Sequence, residues 1–201
     1  MAYEYFHQPL AKILHRSLLE DAFYITMEAS VPGGDLAARE AMWRYMDYSM
    51  KEGQEFGFLQ LPEEGSYGAS IWSKPLATPL AAEKERRKKA FLSENMGPSS
   101  LETYERIVRF MSAKSEEWVA PDSWYLSILA IAPDRQGQGL GRTLVSPVLE
   151  EADALGLATY LETFNPRNKT FYNRLGYEDA AIIEEPTTGA EYSLMIRPPA
   201  R

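Results

Sequence analysis

Along the first third of the chain, apolar residues recur every three or four positions. Leu10, Ile13, Leu14, Leu18 and Ala22 form one face of a predicted helix over 10–23. Pro32-Gly33-Gly34 interrupts the pattern, and Asp35 stands as the cap of a second helix reaching Met50. Phe56–Leu61 and Ser66–Trp72 predict two strands joined by the turn-forming cluster Pro62-Glu63-Glu64-Gly65. Two further helical stretches follow, Leu80–Ser93 and Leu101–Trp118. In the second, Tyr104, Ile107, Val108 and Met111 fall at helical spacing.

From residue 124 the rhythm changes to strand, helix, strand, helix, strand. Trp124–Ile131 is almost wholly apolar, the pattern of a strand covered on both faces, and Pro133 ends it. Gln136–Gly141 reads as a turn, Thr143–Ala154 as a helix, and Ala158–Thr163 as a second strand. Asn168–Leu175 reads as a short helix closed by Gly176. Tyr177–Glu184 and Glu191–Ile196 make a terminal strand pair across Pro186-Thr187-Thr188-Gly189. No linker or repeat interrupts the sequence, which predicts one α/β domain over 1–201 with a mixed sheet.

Composition narrows the chemistry. A length of 201 residues suits one domain with a substantial core. No apolar run is long enough to span a membrane, and Met1–His7 lacks the pattern of a secretory signal, so a cytoplasmic protein without membrane contact is expected. The net charge of −8 argues against an extended nucleic-acid surface, yet leaves room for a small anionic cofactor held by a few cations and backbone amides. With no cysteine and only His7 and His15, thiol nucleophiles, His-based triads and multi-His metal sites lack raw material. No metal is expected. Carboxylates, tyrosines, amides and backbone remain.

The segment richest in chemistry is the strand–turn–helix from Trp124 to Ala154. Gly137, Gly139 and Gly141 sit between a buried strand and a helix start, where glycine lets an anion approach the amides without an intervening Cβ. Unpaired N–H groups and the helix dipole favour phosphate there, and Arg135 and Arg142 flank the loop. A glycine-rich turn without a ligand is the plainer alternative. The loop lacks the Gly-Lys-Ser/Thr ending of a Walker motif, and Arg142 occupies the place of the third glycine of a dinucleotide fingerprint. Glu162 lies where a ribose-binding acid would stand, but the loop opens only the last third of the chain. That leaves no room for two mononucleotide-binding halves.

Gln136-x-x-Gly139-x-Gly141 after a buried strand resembles the acetyl-CoA pyrophosphate loop of the GNAT superfamily of N-acetyltransferases. Leu161-Glu162-Thr163-Phe164-Asn165, followed by Asn168, Phe171-Tyr172 and Leu175-Gly176-Tyr177, resembles the second half of the same signature. Within the superfamily, residues 122–197 are most similar to puromycin N-acetyltransferase-like members, through Ala130-x-Ala132-Pro133-Asp134-x-Gln136-Gly137-x-Gly139-Leu140-Gly141 and Leu161-Glu162-Thr163. Before residue 120 the likeness is loose, with Gly68-Ala69-Ser70-Ile71-Trp72-Ser73-x-Pro75 its clearest piece.

The resemblance implies a GNAT-like α/β fold, a mostly antiparallel central sheet flanked by helices. Residues 1–120 would shape the acceptor pocket and 122–197 would bind acetyl-CoA. Leu129, Ala130 and Ile131 would offer backbone to the pantetheine arm, and a main-chain N–H there would polarise the thioester carbonyl. Gln136, Gly137, Gln138, Gly139, Leu140, Gly141 and Arg142 would hold the pyrophosphate. Asn165 and Asn168 would touch the cofactor arm, and Phe171 would pack beside it. Tyr172 would be the general acid for the leaving thiolate, because a phenol arrives protonated at neutral pH. The plainer role for Tyr172 is packing a short helix on the sheet.

The family's usual acid on the strand before the loop is missing from Tyr125–Ile131. Glu162 is the nearest candidate base, with burial expected to raise its pKa. A structural pairing of Glu162 with a neighbour, or attack by an amine already deprotonated by water, are the alternatives. Lys84–Lys89 is expected to be a solvated helix face. Trp43, Tyr45, Trp72 and Trp118 are expected to be mostly core, one or two lining an acceptor site. The expected reaction is direct acetyl transfer from acetyl-CoA to an amine of a small molecule, and a homodimer is compatible with it. The rivals are a protein Lys or N-terminal acetyltransferase, a non-catalytic acyl-CoA sensor, and a nucleotide-binding domain.

Overall fold

The computed structural model describes residues 3–200; Met1, Ala2 and Arg201, which fall in the predicted 1–201 domain, lie outside them. The elements follow the order α1 (Gln8–Ser17), α2 (Ala22–Ala29), α3 (Asp35–Phe56), β1 (Gly57–Gln60), β2 (Gly68–Ser73), α4 (Thr78–Asn95), α5 (Pro98–Ser115), β3 (Trp124–Ile131), α6 (Leu140–Leu155), β4 (Thr159–Thr163), α7 (Lys169–Asn173), β5 (Glu178–Glu185) and β6 (Ala190–Arg197). One sheet in the order β1-β2-β3-β4-β6-β5 runs through both halves of the chain. Every pairing is antiparallel except β3–β4, which is parallel. Among the described residues no helix is long and apolar enough to cross a membrane.

The predicted helix over 10–23 is in fact two. The Asp21 side chain accepts from the Phe23 N–H and starts α2, so a capping residue inside the apolar stripe divides it. Asp35 is the first helical residue of α3 rather than its cap, a place taken by Gly34 at φ 85°. α3 continues past Met50 to Phe56 because its buried face does, with Met42, Met46, Met50 and Phe56 all in the core.

β3 corrects the expectation of a strand covered on both faces. Its residues alternate, with Trp124, Leu126, Ile128 and Ala130 buried and Tyr125, Ser127, Leu129 and Ile131 only partly so. A bulge lies at Ser127: Trp72 pairs with Leu126 and Ile71 with Ile128, while the Ser127 hydroxyl donates to the Ile71 carbonyl at 2.9 Å. The extra residue shifts the strand's phase. Trp124 and Leu126 therefore pack with Trp72, Val145 and Leu149 under α6, whereas Ile128 and Ala130 pack with Ile71, Met46 and Met50 under α3. A nearly all-apolar sequence is thus explained by one strand that serves a different core on either side of a bulge.

Candidate active site

The sheet opens where the bulge lies. The β3–β4 ladder runs from Trp124–Thr159 to Leu126–Leu161 and stops, although β3 continues to Ile131 beside β2 and β4 continues to Thr163 beside β6. Among the described residues no strand pairs with the β4 side of Leu129–Ile131, which leaves room there for an added chain, although the Ile131 carbonyl already accepts from Gln136. A bend follows. Ala132 donates back to the Tyr67 carbonyl at 2.7 Å, and Gln136 Nε2 donates to the Ile131 carbonyl at 3.0 Å, fixing the loop's exit from the strand.

Gly137 and Gly139 have φ of 75° and 78°, the left-handed region, and a Cβ built on either would meet nothing within 4 Å. Neither position therefore carries or meets a side chain at the start of the sixteen-residue helix α6, whose N-cap is Gly139 and which leads in with Leu140, Gly141 and Arg142. Among the described residues no side chain caps this terminus. An anion is the natural partner for such a terminus, so the loop fits a pyrophosphate. Gly141 has a different reason for being glycine: a Cβ there would lie 3.2 Å from the Phe171 ring, which packs onto the start of α6. Arg135 lies over Tyr67, 5.6 Å from the ring centroid, and donates to Gln138 Oε1 at 3.3 Å.

On the far side of the sheet, beneath α2, α3, α4 and α5, is a cavity of about 690 Å³. It reaches the opening between β3 and β4, and Leu129, Glu162, Asn168 and Tyr172 all line it. The structure thus brings together residues separated by up to 43 positions, which α6 and the parallel β3–β4 crossover place at one opening. Asn165 does not line this cavity; its side-chain oxygen accepts from the Arg167 N–H and starts the 3-10 turn Pro166–Asn168.

Glu162 projects from the same face of β4 as Tyr160. Its Oε2 accepts from the Tyr125 hydroxyl at 3.0 Å, while Oε1 has no partner and is removed from bulk solvent. Burial pushes the carboxyl up to about 7, against the opposing pull of the Tyr125 hydrogen bond. No cation pairs with it among the described residues; its structural neighbour is the Tyr125 hydroxyl, which engages one of its two oxygens. Tyr172, on α7, is 7% exposed, and its ring lies edge-on between Phe171 and Tyr177. Burial pushes its phenol well above the usual range, with Tyr177 and Asp21 adding to the effect, so it stays protonated at any working pH.

The Acetyltransferase (GNAT) family model matches residues 69–177, a span that begins in β2 and contains the open strand pair, the glycine loop, Glu162 and Tyr172. The chain belongs to that family. It is 30% identical over 79 residues to an uncharacterized N-acetyltransferase of Schizosaccharomyces pombe, a stretch covering 38% of this chain and 32% of the relative, so the match spans about a third of that curated protein. The GNAT fold also appears in a Corynebacterium glutamicum protein described as histone acetyltransferase HPA2 and related acetyltransferase. That structure has a TM-score of 0.61 at 20% identity, over 96% of this chain and 91% of the other. An arylalkylamine N-acetyltransferase from Aedes aegypti gives 0.57 at 13% identity, over 98% of each chain.

Several GNAT-site residues were not legible in the sequence. Tyr125 reads as one more apolar strand residue, yet it carries the hydroxyl that orients Glu162. Asp21 reads as part of a helix, yet it lines the cavity, and burial pushes its carboxyl up to about 6 despite two backbone hydrogen bonds. The basic run on α4 is not wholly a solvated face. Lys88 is 7% exposed and Lys84 lines the cavity, Lys89 stands at its rim paired with Glu85, and Arg86 and Arg87 stay outside in pairs with acids. Of the aromatic candidates, Tyr45 lines the cavity and Trp72 is core; Trp43 lies partly buried at a separate small pocket beside α1, with Lys12 Nζ 4.4 Å from its ring centroid. Trp118 is 54% exposed and belongs to neither.

Proposed function

We propose that this chain transfers an acetyl group from acetyl-CoA to an amine of a small molecule by direct attack. One observation carries the reading: a buried carboxyl with one oxygen held by Tyr125 and the other without a partner, and a phenol, line one cavity at the opening of the sheet, beside a helix start suited to pyrophosphate. Acetyl-CoA would supply a thioester, whose acetyl group an amine can accept once it has lost its proton. Gln136 to Arg142 would hold the pyrophosphate, and the β4 side of Leu129–Ile131 would take the pantetheine arm in the manner of an added strand.

Within this reading Glu162 takes the proton of the attacking ammonium. Its carboxyl, near 7, is ionised often enough at neutral pH to act as base and basic enough to accept. The Tyr125 hydroxyl fixes one oxygen and leaves Oε1 for the amine. Tyr172 delivers a proton to the departing sulfur. Burial makes this phenol a weaker acid, and it equally makes a thiolate expelled there a stronger base, so the proton passes as charge develops on the sulfur and solvent restores it to the phenolate after the thiol leaves. His7 caps α1 and His15 contacts Glu28 at 2.9 Å, so neither reaches the opening, and the chain has no thiol to carry the acetyl group covalently.

The form of the cavity favours a small acceptor over a protein. Helices α3, α4 and α5 wall it, and Tyr24, Tyr45, Tyr104, Tyr125 and Tyr160 line it, a concave aromatic surface, open on one side, of the size that small ligands occupy. The puromycin-type likeness of residues 122–197 and the arylalkylamine acceptor named for the mosquito structure point the same way. Thiol release from acetyl-CoA, followed across a panel of small amines, puromycin included, and of Lys and N-terminal peptides, tests the proposal. Turnover of small amines well above that of the peptides is expected. Turnover of the peptides alone would move the function to protein acetylation, and binding of acetyl-CoA without any turnover would make the chain a sensor.

A further inference from the structure

The cavity has two ends of opposite character. At the β4 end stand Glu162 and Asp21, with no cation paired to either among the described residues. At the α4 end stand Lys84 and Lys88, one helical turn apart, and Glu52 of α3. Lys88 is accounted for: Nζ is 3.5 Å from Glu52 Oε2 and lies 4.8, 5.0 and 5.8 Å from the ring centroids of Tyr45, Tyr48 and Tyr104. Lys84 is not. Its Nζ donates to the Ser73 hydroxyl at 2.9 Å, and no carboxylate of the described residues pairs with it. At the rim, Lys89 is held by Glu85 and Glu105 at 2.8 and 3.0 Å, so those acids are engaged. Lys84 and Lys88 thus share Glu52; of the other cations that line the cavity, Lys74 lies over the Phe58 ring, 4.8 Å from its centroid, and Arg109 comes from α5.

The sheet sets the two ends at a usable spacing. Ser73, which receives the Lys84 ammonium, pairs across β2–β3 with Tyr125, whose hydroxyl holds Glu162. The two couples are therefore anchored two strands apart, on the order of 10 Å across the sheet. An unpaired cation in a desolvated wall is costly, and an anion bound there would offset the cost. Burial holds the Lys84 ammonium below its usual range, with Lys88 adding to the depression and Glu52 opposing it, as expected for a charge lacking a counter-ion.

Resting on the acetyltransferase reading of this site, we infer that the acceptor is an amine that also bears a carboxylate, its amine presented to Glu162 and its carboxylate bound by Lys84. Lys84 is then the residue that selects this substrate class. The aromatic wall between the two ends receives the acceptor's apolar body.

The test compares each proteinogenic amino acid, and the ω-amino acids from β-alanine to 6-aminohexanoate, with its own carboxamide. In the wild-type protein at least one acid is expected to exceed its amide tenfold or more in kcat/KM. Lys84→Met should abolish that preference and Lys84→Arg should keep most of it. A parallel thermal-shift series without acetyl-CoA reads binding alone: the preferred acid should raise the Tm of wild type and leave that of Lys84→Met unmoved. Acids and amides treated alike by the wild type in both measurements, or a preference that survives Lys84→Met, would overturn the inference. Failure to acetylate any amine would instead refute the acetyltransferase reading, and the binding series would still decide whether Lys84 holds a carboxylate.

Discussion

On the proposed mechanism Glu162→Gln separates catalysis from stability, because the carboxyl serves the first and, above its unfolded pKa, lowers the second. The folded carboxyl lies at about 7 against an ordinary value of 4.5. Its protonated form is thus favoured by folding. Stability from this group is complete below pH 4.5 and declines as pH rises to 7, by about 3 kcal/mol at the upper end of the window. Gln is neutral at every pH and can still accept from Tyr125, so the variant escapes that decline. At pH 8 it should be more stable than wild type by about 1–3 kcal/mol, which at this chain length raises Tm by roughly 2–10 °C. At pH 5 the two proteins should melt together within about 1 kcal/mol.

Activity should move the other way. In the wild type the ionised fraction of Glu162 rises from about one-tenth at pH 6 to about nine-tenths at pH 8, giving kcat/KM an acid limb near 7. The Gln variant should lose about 10²–10⁴-fold at pH 8, its residual rate following only the amine's own titration. Thermal melts at the two pH values and a pH profile of thiol release measure both halves. A variant that is destabilised equally at pH 5 and pH 8 and keeps a wild-type rate would refute the assignment and make Glu162 structural.

Two other outcomes are expected. Tyr172→Phe removes a hydroxyl that no hydrogen bond anchors among the described residues, so Tm and acetyl-CoA affinity should hardly change while turnover falls about 10²–10⁴-fold. Because burial holds this phenol so high, no alkaline limb below about pH 10 should be traceable to it; a wild-type rate in the folded variant would assign the proton to water or another residue. Gly139→Val forces a β-branched residue to φ 78° at a cost of about 1–3 kcal/mol, with no clash in the protein itself, so the chain should fold and yet lose acetyl-CoA affinity tenfold or more. Unchanged affinity by calorimetry would remove the pyrophosphate from the loop.

Much of the C-terminal half could be read from local pattern. β3 matches its predicted bounds at 124 and 131, and the order of helix, strand and short helix after it is as expected, because apolar periods and glycine punctuation act over a few residues. Gly137 and Gly139 were legible for the same reason, since a left-handed backbone needs glycine whatever surrounds it. The acetyltransferase fold likewise followed from two motifs in order. What the sequence did not contain was which residues meet. The bulge at Ser127 depends on β2, and it decides which face each β3 side chain takes. Burial of Lys84 and Lys88 depends on α3 and α5 closing over α4, and Tyr125 meets Glu162 only because β3 and β4 run parallel with their registers set. Periodicity and turns are properties of neighbours along the chain and were determined there. The charge of Glu162, the isolation of Lys84 and the cavity between them arise from desolvation by distant segments, and only the tertiary structure decided them.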